Sequence, residues 1–102
     1  MPLYLTEANV DSLLTPADAL EAVEGCFRRL AAGEVENQPR RRLRLEDGVF
    51  AVMPSVDREL GLAGVKAYAW LPRGTPFVVV LFDTESAELV GVIGRASCRE
   101  RV

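Results

Sequence analysis

The chain has 102 residues, of which 49% are hydrophobic and 26% charged, and its formal net charge is −3. This composition is typical of a globular protein, and the length allows one small domain or part of a larger one. No apolar run reaches 18 residues, so we expect no membrane-spanning helix. The first residues lack the basic start and apolar core of a signal peptide, which predicts a cytoplasmic protein. The absence of histidine and the wide spacing of Cys26 and Cys98 argue against a metal site.

The last ten residues, IGRASCRERV, differ in kind from the rest of the chain. They replace a strand pattern with small and charged residues that lack periodicity, and they are similar to the in-frame translation of a sequencing-library adapter. We therefore interpret residues 93–102 as a non-native tail; the alternative is a natural polar tail. Residues 1–92 carry 9 basic and 14 acidic side chains, a net charge of −5. Such an acidic balance argues against sequence-independent binding of nucleic acid.

Two helices are predicted near the N-terminus, after a short apolar strand at Leu3–Leu5. Thr6 can cap the first helix, and Thr15 followed by Pro16 ends it and starts the second. The second helix carries an apolar stripe and is expected to stop at Gly33. The stripe consists of Leu20, Val23, Phe27 and Leu30, with Cys26 beside it as a small core residue.

Beyond the helices, the hydrophobic period changes from 3.6 to two, which predicts strands. Asp47-Gly48 is expected to supply the positive φ angles of a tight hairpin turn, and Pro54 is expected to end the strand at residues 49–53. Further strands are predicted at residues 63–71, at residues 77–83 (buried on both faces) and from residue 89.

The order of these elements predicts an α+β fold, with two N-terminal helices packed on a mostly antiparallel sheet. Two helices are too few to cover such a sheet, and the last strand is cut short by the tail. We therefore expect an incomplete domain in which one face of the sheet needs a partner.

Lys66 stands alone in the apolar strand segment GVKAYAW, on the same side as Gly64, Tyr68 and Trp70. A lysine in such a strand is costly to bury unless it is paired with an anion. Its amine either reaches water along its apolar stem or meets an anionic group. In the second case it could hold a substrate carboxylate, polarise an imine carbon or move a proton.

An arginine run enters the predicted sheet at residues 40–44. Most charge runs are solvated, and an edge strand uses them to block aggregation, which is the interpretation for Arg41, Arg42 and Arg44. An arginine at the mouth of a pocket can instead hold a carboxylate through two parallel hydrogen bonds. The residues alone do not select which arginine does so.

The chain resembles the N-terminal part of the ornithine cyclodeaminase/mu-crystallin family. The resemblance covers residues 3–92 and includes YLTEANVDSLL, the segment from ADALEAVEG to RRRLRL, the Met53-Pro54 pair, GVKAYAW and VVVLFDTESAELVGVI. It implies the substrate-binding and dimerisation domain, over residues 1–92, of a two-domain NAD(P)-dependent enzyme. The Rossmann domain, which would bind most of the NAD or NADP, is expected to be absent from this chain.

The resemblance also implies roles for individual residues. Arg40 matches the family's substrate-carboxylate arginine, Lys66 its substrate-contacting and catalytic lysine, and Thr75 a threonine that touches the cofactor. Ornithine-using members carry an acidic residue at the position of Ala51, so a less cationic amino or imino acid is the expected substrate here. The implied partners are this small substrate and a second copy of the chain, joined through the sheet.

Three functions follow as alternatives from these observations. The first is an enzyme that cyclodeaminates an amino acid, or reduces an imine and oxidises an amino acid, and whose N-terminal part alone is inactive. The second is a non-enzymatic binder of a small ligand, similar to mu-crystallin. The third is a free-standing interaction module whose exposed sheet docks on another protein.

Overall fold

A computed structural model describes residues 2–95 of the chain. It has helices α1 (Glu7–Leu13) and α2 (Pro16–Ala31) and strands β1 (Leu3–Leu5), β2 (Val35–Asn37), β3 (Arg41–Arg44), β4 (Val49–Asp57), β5 (Leu62–Trp70), β6 (Phe77–Asp83) and β7 (Glu88–Arg95). The described strands form one sheet in the order β1-β7-β6-β5-β4-β2, and β3 also pairs with β4. β1 runs parallel to β7, and the other pairings are antiparallel. The predicted α+β class is confirmed.

Both helices begin at the caps that the sequence predicts. The Thr6 hydroxyl accepts a hydrogen bond from the Asn9 backbone N–H (3.2 Å), and the Asn9 side chain accepts one from the Thr6 N–H (2.9 Å). Thr15 and Asp18 form the same reciprocal pair at the start of α2. Such boxes satisfy backbone donors that a helix leaves unpaired at its first turn. α2 ends just before Gly33, whose φ of 82° suits a residue without a Cβ.

The helices pack on the two edges of the sheet rather than across its middle. α1 contacts β1 and β7, and α2 contacts β2. The apolar stripe of α2 is consequently open to solvent in this chain: Leu20 is 72% exposed and Phe27 64%. Cys26, beside the stripe, is half-buried. Among the described hydrophobic residues only Val35 (6% exposed) and Ala51 (0%) are buried, so the core is very small.

One ion pair fastens α2 to the sheet. Arg29 Nε donates to Asp57 Oδ2 at 2.7 Å, and both side chains are largely withdrawn from water. Partial burial raises the pKa of Asp57, but hydrogen bonds from Arg29 and from the Leu60 backbone outweigh it, and the pKa lies below its ordinary value. The pair therefore holds the end of β4 against the last turns of α2.

Replacing Asp57 with asparagine should reveal this pair through its pH dependence. Because the folded-state pKa is lowered, the ionised carboxylate adds stability above its unfolded pKa, and this stability is lost as pH falls through the folded pKa. We expect Asp57→Asn to lower the thermal midpoint by about 3 °C near about pH 7 and by almost nothing near about pH 2. Thermal unfolding followed by circular dichroism at both pH values measures this, and a pH-independent difference would contradict the assignment.

The prediction that Pro54 ends a strand is wrong, because β4 continues through it to Asp57. Pro54 lies opposite Val65 of β5. On the other side of β4, pairing with β3 extends only to Val52, and pairing with β2 begins at Ser55. The Pro54 carbonyl accepts from Gln38 N–H (3.1 Å) on that side, so its nitrogen also points there. The missing N–H therefore falls in the gap between two strands, where a proline costs no ladder bond.

The Asp47-Gly48 turn also differs from the prediction. Gly48 is not among the described residues with positive φ, so this is not the expected mirror-image turn. Instead, Leu45 N–H donates to the Gly48 carbonyl at 2.9 Å, and a longer loop joins β3 to β4. Gly48 is needed for space: a Cβ there would collide with the carbonyl oxygen of Trp70.

The central strands of the sheet have two different faces. Pairing places Met53, Lys66, Tyr68 and Phe77 on one side, which we call the cavity face. The opposite side, the apolar face, carries Val52, Pro54, Val65, Ala67, Val78 and Val80. None of these six is buried, and Phe82 on the same face is 45% exposed. The prediction that β6 is buried on both faces is therefore wrong within this chain, although the predicted need for a partner agrees with the open face.

Two strands, β2 and β7, differ from the sequence prediction. β2, which was not predicted, begins at the buried Val35 under α2. β7 runs through Ile93 and Gly94 to Arg95, past the point where the tail was expected to interrupt it. The remaining residues of the tail, Cys98 among them, lie outside the described residues. Neither described helix is long and apolar enough to cross a membrane.

Candidate active site

An open cavity of about 400 Å³ lies on the cavity face. β4, β5 and β6 supply its floor, and the connections before β3 and after β5 supply its sides. The lining residues are Arg40, Met53, Lys66, Tyr68, Thr75 and Phe77. The three residues singled out from the sequence, Arg40, Lys66 and Thr75, are thus brought to one place although they are far apart in the chain.

Strand register explains why the floor residues meet. Met53 lies directly opposite Lys66, and Tyr68 lies directly opposite Phe77. Directly opposite residues of an antiparallel pair share a face, with Cβ atoms about 5 Å apart. Residues two apart on one strand, such as Lys66 and Tyr68, also share that face. A cation therefore stands among two aromatic rings and a thioether.

Lys66 is exposed on the cavity face, so the structure favours an amine that reaches water from an apolar strand. Its Nζ lies 5.8 Å from the centre of the Tyr68 ring and 5.7 Å from that of Phe77. Aromatic faces attract a cation at this range without neutralising it. Of the described carboxylates, none forms an ion pair with Lys66. The ammonium keeps its charge available to an anionic ligand.

Arg40 reaches the cavity from the connection between β2 and β3. Its Nη1 donates a hydrogen bond of 2.9 Å to the Tyr68 hydroxyl. The three following arginines that the sequence analysis considered, Arg41, Arg42 and Arg44, are exposed on β3 and do not line the cavity. The structure therefore separates Arg40 from the rest of the run, which the residues alone could not do.

Thr75 enters the cavity after a tight turn. Leu71 and Gly74 exchange two backbone hydrogen bonds of 3.1 Å, and Gly74 has a φ of 149°. This closes the chain on itself and returns it toward β6, leaving Thr75 half-buried at the cavity wall. Thr75 therefore lines the same cavity as Arg40 and Lys66.

Ala51 has no exposed surface and lies opposite Tyr68 on β5 and Arg42 on β3. It shares the cavity face with Met53 but does not line the cavity. Among the described residues, no acidic side chain lines the cavity either. The site thus offers positive charge, a hydroxyl and apolar surface, which suits a ligand with a carboxylate and a small or uncharged side chain.

The sequence analysis missed Phe77 as a lining residue and gave Tyr68 no role. A signal for Phe77 was present in the hairpin pattern: once β5 and β6 are joined by a short turn, the first residue of β6 must lie opposite the last part of β5. The bond between Arg40 and Tyr68 had no such signal, because Arg40 lies outside any strand.

Within the described residues, no three cysteine, aspartate or glutamate side chains are grouped so that they could hold a metal ion. Two cations, a phenol and a hydroxyl surround the open cavity. Such a lining suits a ligand that carries a carboxylate.

Comparison with known proteins places this domain in a family. The profile of the ornithine cyclodeaminase/mu-crystallin family matches residues 2–93, and the chain belongs to that family. The alanine dehydrogenase of Archaeoglobus fulgidus is 34% identical over 90 residues, which is 84% of this chain and 27% of that protein. The iminosuccinate reductase of Paracoccus denitrificans is 26% identical over 101 residues, 90% of this chain and 32% of that protein.

Solved structures agree with the fold. An archaeal alanine dehydrogenase dimer with bound NAD superposes with a TM-score of 0.81 at 29% identity, covering 91% of this chain and 31% of that one. The predicted family resemblance is confirmed. The chain spans about a third or less of the length of these relatives.

Proposed function

We propose that this chain is the substrate-binding and dimerisation domain, over residues 1–92, of a longer NAD(P)-dependent enzyme that acts on a small amino or imino acid. The reaction is imine reduction and amino acid oxidation, or cyclodeamination through the same imine. The observation that carries the proposal is the convergence of Arg40 and Lys66 on one cavity without a neutralising carboxylate among its lining residues. The names of the relatives, a dehydrogenase and a reductase, support the same chemistry.

The chain's own residues would bind and orient the substrate. The Arg40 guanidinium and the Lys66 ammonium hold the carboxylate, which fixes the direction in which the α-carbon faces. Lys66, which lines the same cavity, would also polarise an imine carbon or exchange a proton with the imine nitrogen. Thr75 stands at the cavity wall, where the cofactor would approach. When bound, the nicotinamide supplies or accepts the hydride at the α-carbon.

The described residues could bind only a small part of the NAD(P) cofactor. The N-terminal amides of α1 and α2 are partly occupied by their own capping boxes, so neither helix presents an open phosphate site. No glycine-rich turn opens either helix. NAD or NADP would therefore be held mainly by a Rossmann domain beyond this chain, with Thr75 as the contact from this side.

A side-chain cation on the substrate is disfavoured. Ornithine would need a carboxylate near its distal amine, and the position where the family resemblance implies one in ornithine-using members is the fully buried Ala51. We therefore propose a substrate with a short neutral or anionic side chain.

The apolar face supports a homodimer in which two sheets pack face to face. Monomeric proteins seldom expose a continuous apolar surface of this kind, and a two-fold axis would cover it with its own copy. The cavity face would remain open toward the cofactor domain.

The first experiment is to sequence the source DNA beyond codon 92 and to produce the complete protein. Oxidation of NADH and NADPH is then followed with pyruvate plus ammonium, oxaloacetate plus ammonium and Δ1-pyrroline-2-carboxylate; L-ornithine is tested for cyclodeamination. We expect the enzyme to turn over one of the imines at a rate well above its rate with L-ornithine. Ligand binding without turnover would instead support a mu-crystallin-like binder. A reading frame that stops at codon 102 would support the interaction module.

Replacing Arg40 with alanine in the complete protein tests the carboxylate assignment. Loss of a charge-assisted bidentate contact should raise the KM of the carboxylate substrate about 100-fold, with little change in the KM of the cofactor. Arg42→Ala is the matched control, because Arg42 is exposed on β3 opposite Ala51, on the cavity face, but does not line the cavity. Equal KM values for the two variants would refute the role of Arg40.

A further inference from the structure

The Tyr68 side chain connects the two cations of the cavity. Its hydroxyl accepts the hydrogen bond from Arg40 Nη1 at 2.9 Å, and its ring lies 5.8 Å from Lys66 Nζ. We propose that Tyr68 is the positioning residue of the carboxylate site, holding Arg40 at the cavity through its hydroxyl and Lys66 through its ring. This inference rests on the proposed function.

Arg40 needs such a support because the backbone gives it little. It lies in the irregular connection between β2 and β3, and its side chain is exposed. Among the described residues, the Tyr68 hydroxyl is the one side-chain group to which Arg40 is hydrogen-bonded, and Arg40 forms no ion pair. A long arginine side chain loses rotamer entropy when it is ordered. Fixing it before the ligand arrives reduces the cost of binding.

Tyr68 is itself well fixed. It lies in the middle of the sheet, opposite Ala51 on β4 and Phe77 on β6. Ladders on both sides hold its backbone, and a tyrosine has only two side-chain torsions to order. A phenol mounted in this way is a rigid anchor for a flexible cation.

The hydrogen bond to Tyr68 also leaves Arg40 able to bind a substrate carboxylate. A guanidinium has five N–H donors, and the bond to Tyr68 uses one of them, on Nη1. The edge formed by Nε and Nη2 remains for two parallel hydrogen bonds to a carboxylate. Tyr68 therefore orients the guanidinium without competing for the ligand. A carboxylate at the place of the phenol would form an ion pair with Arg40 and cancel positive charge of the site, which the hydrogen bond to Tyr68 does not do.

The test uses the complete enzyme with the variants Tyr68→Phe and Tyr68→Leu. Phenylalanine removes the hydroxyl and keeps the ring, so the KM of the carboxylate substrate should rise about 10-fold while kcat changes less than about two-fold. Leucine removes the ring as well and should lower kcat in addition, because Lys66 loses one of its two aromatic neighbours. The KM of the cofactor should stay constant in both variants. Tyr4→Phe is the matched control, since Tyr4 is an exposed tyrosine of β1 away from the cavity.

The outcomes separate this inference from the proposed function. An active wild-type enzyme whose Tyr68→Phe variant keeps its substrate KM would overturn the positioning role alone. Should the wild type turn over no substrate, calorimetric titration with pyruvate and with L-proline replaces the assay, and about 10-fold weaker binding by Tyr68→Phe is then the expected result. Equal affinities would again overturn the positioning role. Failure of the wild type to bind either carboxylate would overturn both proposals.

Discussion

Lys66→Ala should lower kcat/KM of the complete enzyme by about 10³-fold to 10⁴-fold, the largest loss that we expect from any side chain of this domain. The substitution removes an ammonium that no described carboxylate neutralises and that stands on the cavity face between two aromatic rings. The variant would bind the substrate more weakly and would lack the group that transfers the proton. Because Arg40 still binds the carboxylate, kcat should fall more than KM rises. Steady-state kinetics with the best imine substrate measures the effect.

A second variant separates the two tasks of Lys66. Lys66→Arg retains the positive charge but cannot release a proton near neutral pH. If the lysine only attracts the carboxylate, the arginine variant should recover most of the KM; if it also moves a proton, kcat should stay low. Folding is not expected to change, because Lys66 is exposed, and circular dichroism checks this. Wild-type kinetics in Lys66→Ala would exclude Lys66 from the site.

Val80→Glu should dissociate the proposed homodimer. Val80 lies at the centre of the apolar face, opposite Val65 on β5 and Val92 on β7. A carboxylate there would be buried without a partner when two sheets meet, a penalty that corresponds to about a 10³-fold weaker dimer. Sedimentation velocity over a dilution series measures the dissociation constant.

The control for this variant is Leu60→Glu. Leu60 is 54% exposed in the turn between β4 and β5. Its replacement by glutamate therefore adds the same charge as Val80→Glu without touching the apolar face. A Val80→Glu protein that remains dimeric at the dilution where the wild type does would show that the interface lies elsewhere. Equal dissociation of both variants would point to net charge rather than to this surface.

Local chemistry made much of the fold predictable. The Thr6 and Thr15 caps, the stop at Gly33 and the period-two strands are decided by neighbours in the sequence, and those elements fall where the patterns predict. Pro54 and Asp47-Gly48 were misread because their outcomes depend on distant strands. The proline is tolerated by a gap between β2 and β3, and Gly48 is selected by the approach of Trp70. Such tertiary effects override local propensity.

The candidate site was predictable only in part. The isolated lysine of β5 is visible in the sequence because a charge breaks an apolar strand. The choice of Arg40 from its run came from the family resemblance, and the structure supplies a physical correlate in the bond to Tyr68. That bond joins residues 28 positions apart, one of them in a loop, and no periodicity encodes it.

The open stripe of α2 has a consequence for biosynthesis. If the proposed cofactor domain follows it, this segment leaves the ribosome before that domain, with Leu20, Phe27 and the apolar face exposed. A nascent chain that displays such surfaces for the seconds needed to make another domain is prone to aggregate. Chaperones that hold emerging hydrophobic segments would therefore raise the yield of the complete enzyme more than they would for a domain that buries its own helices.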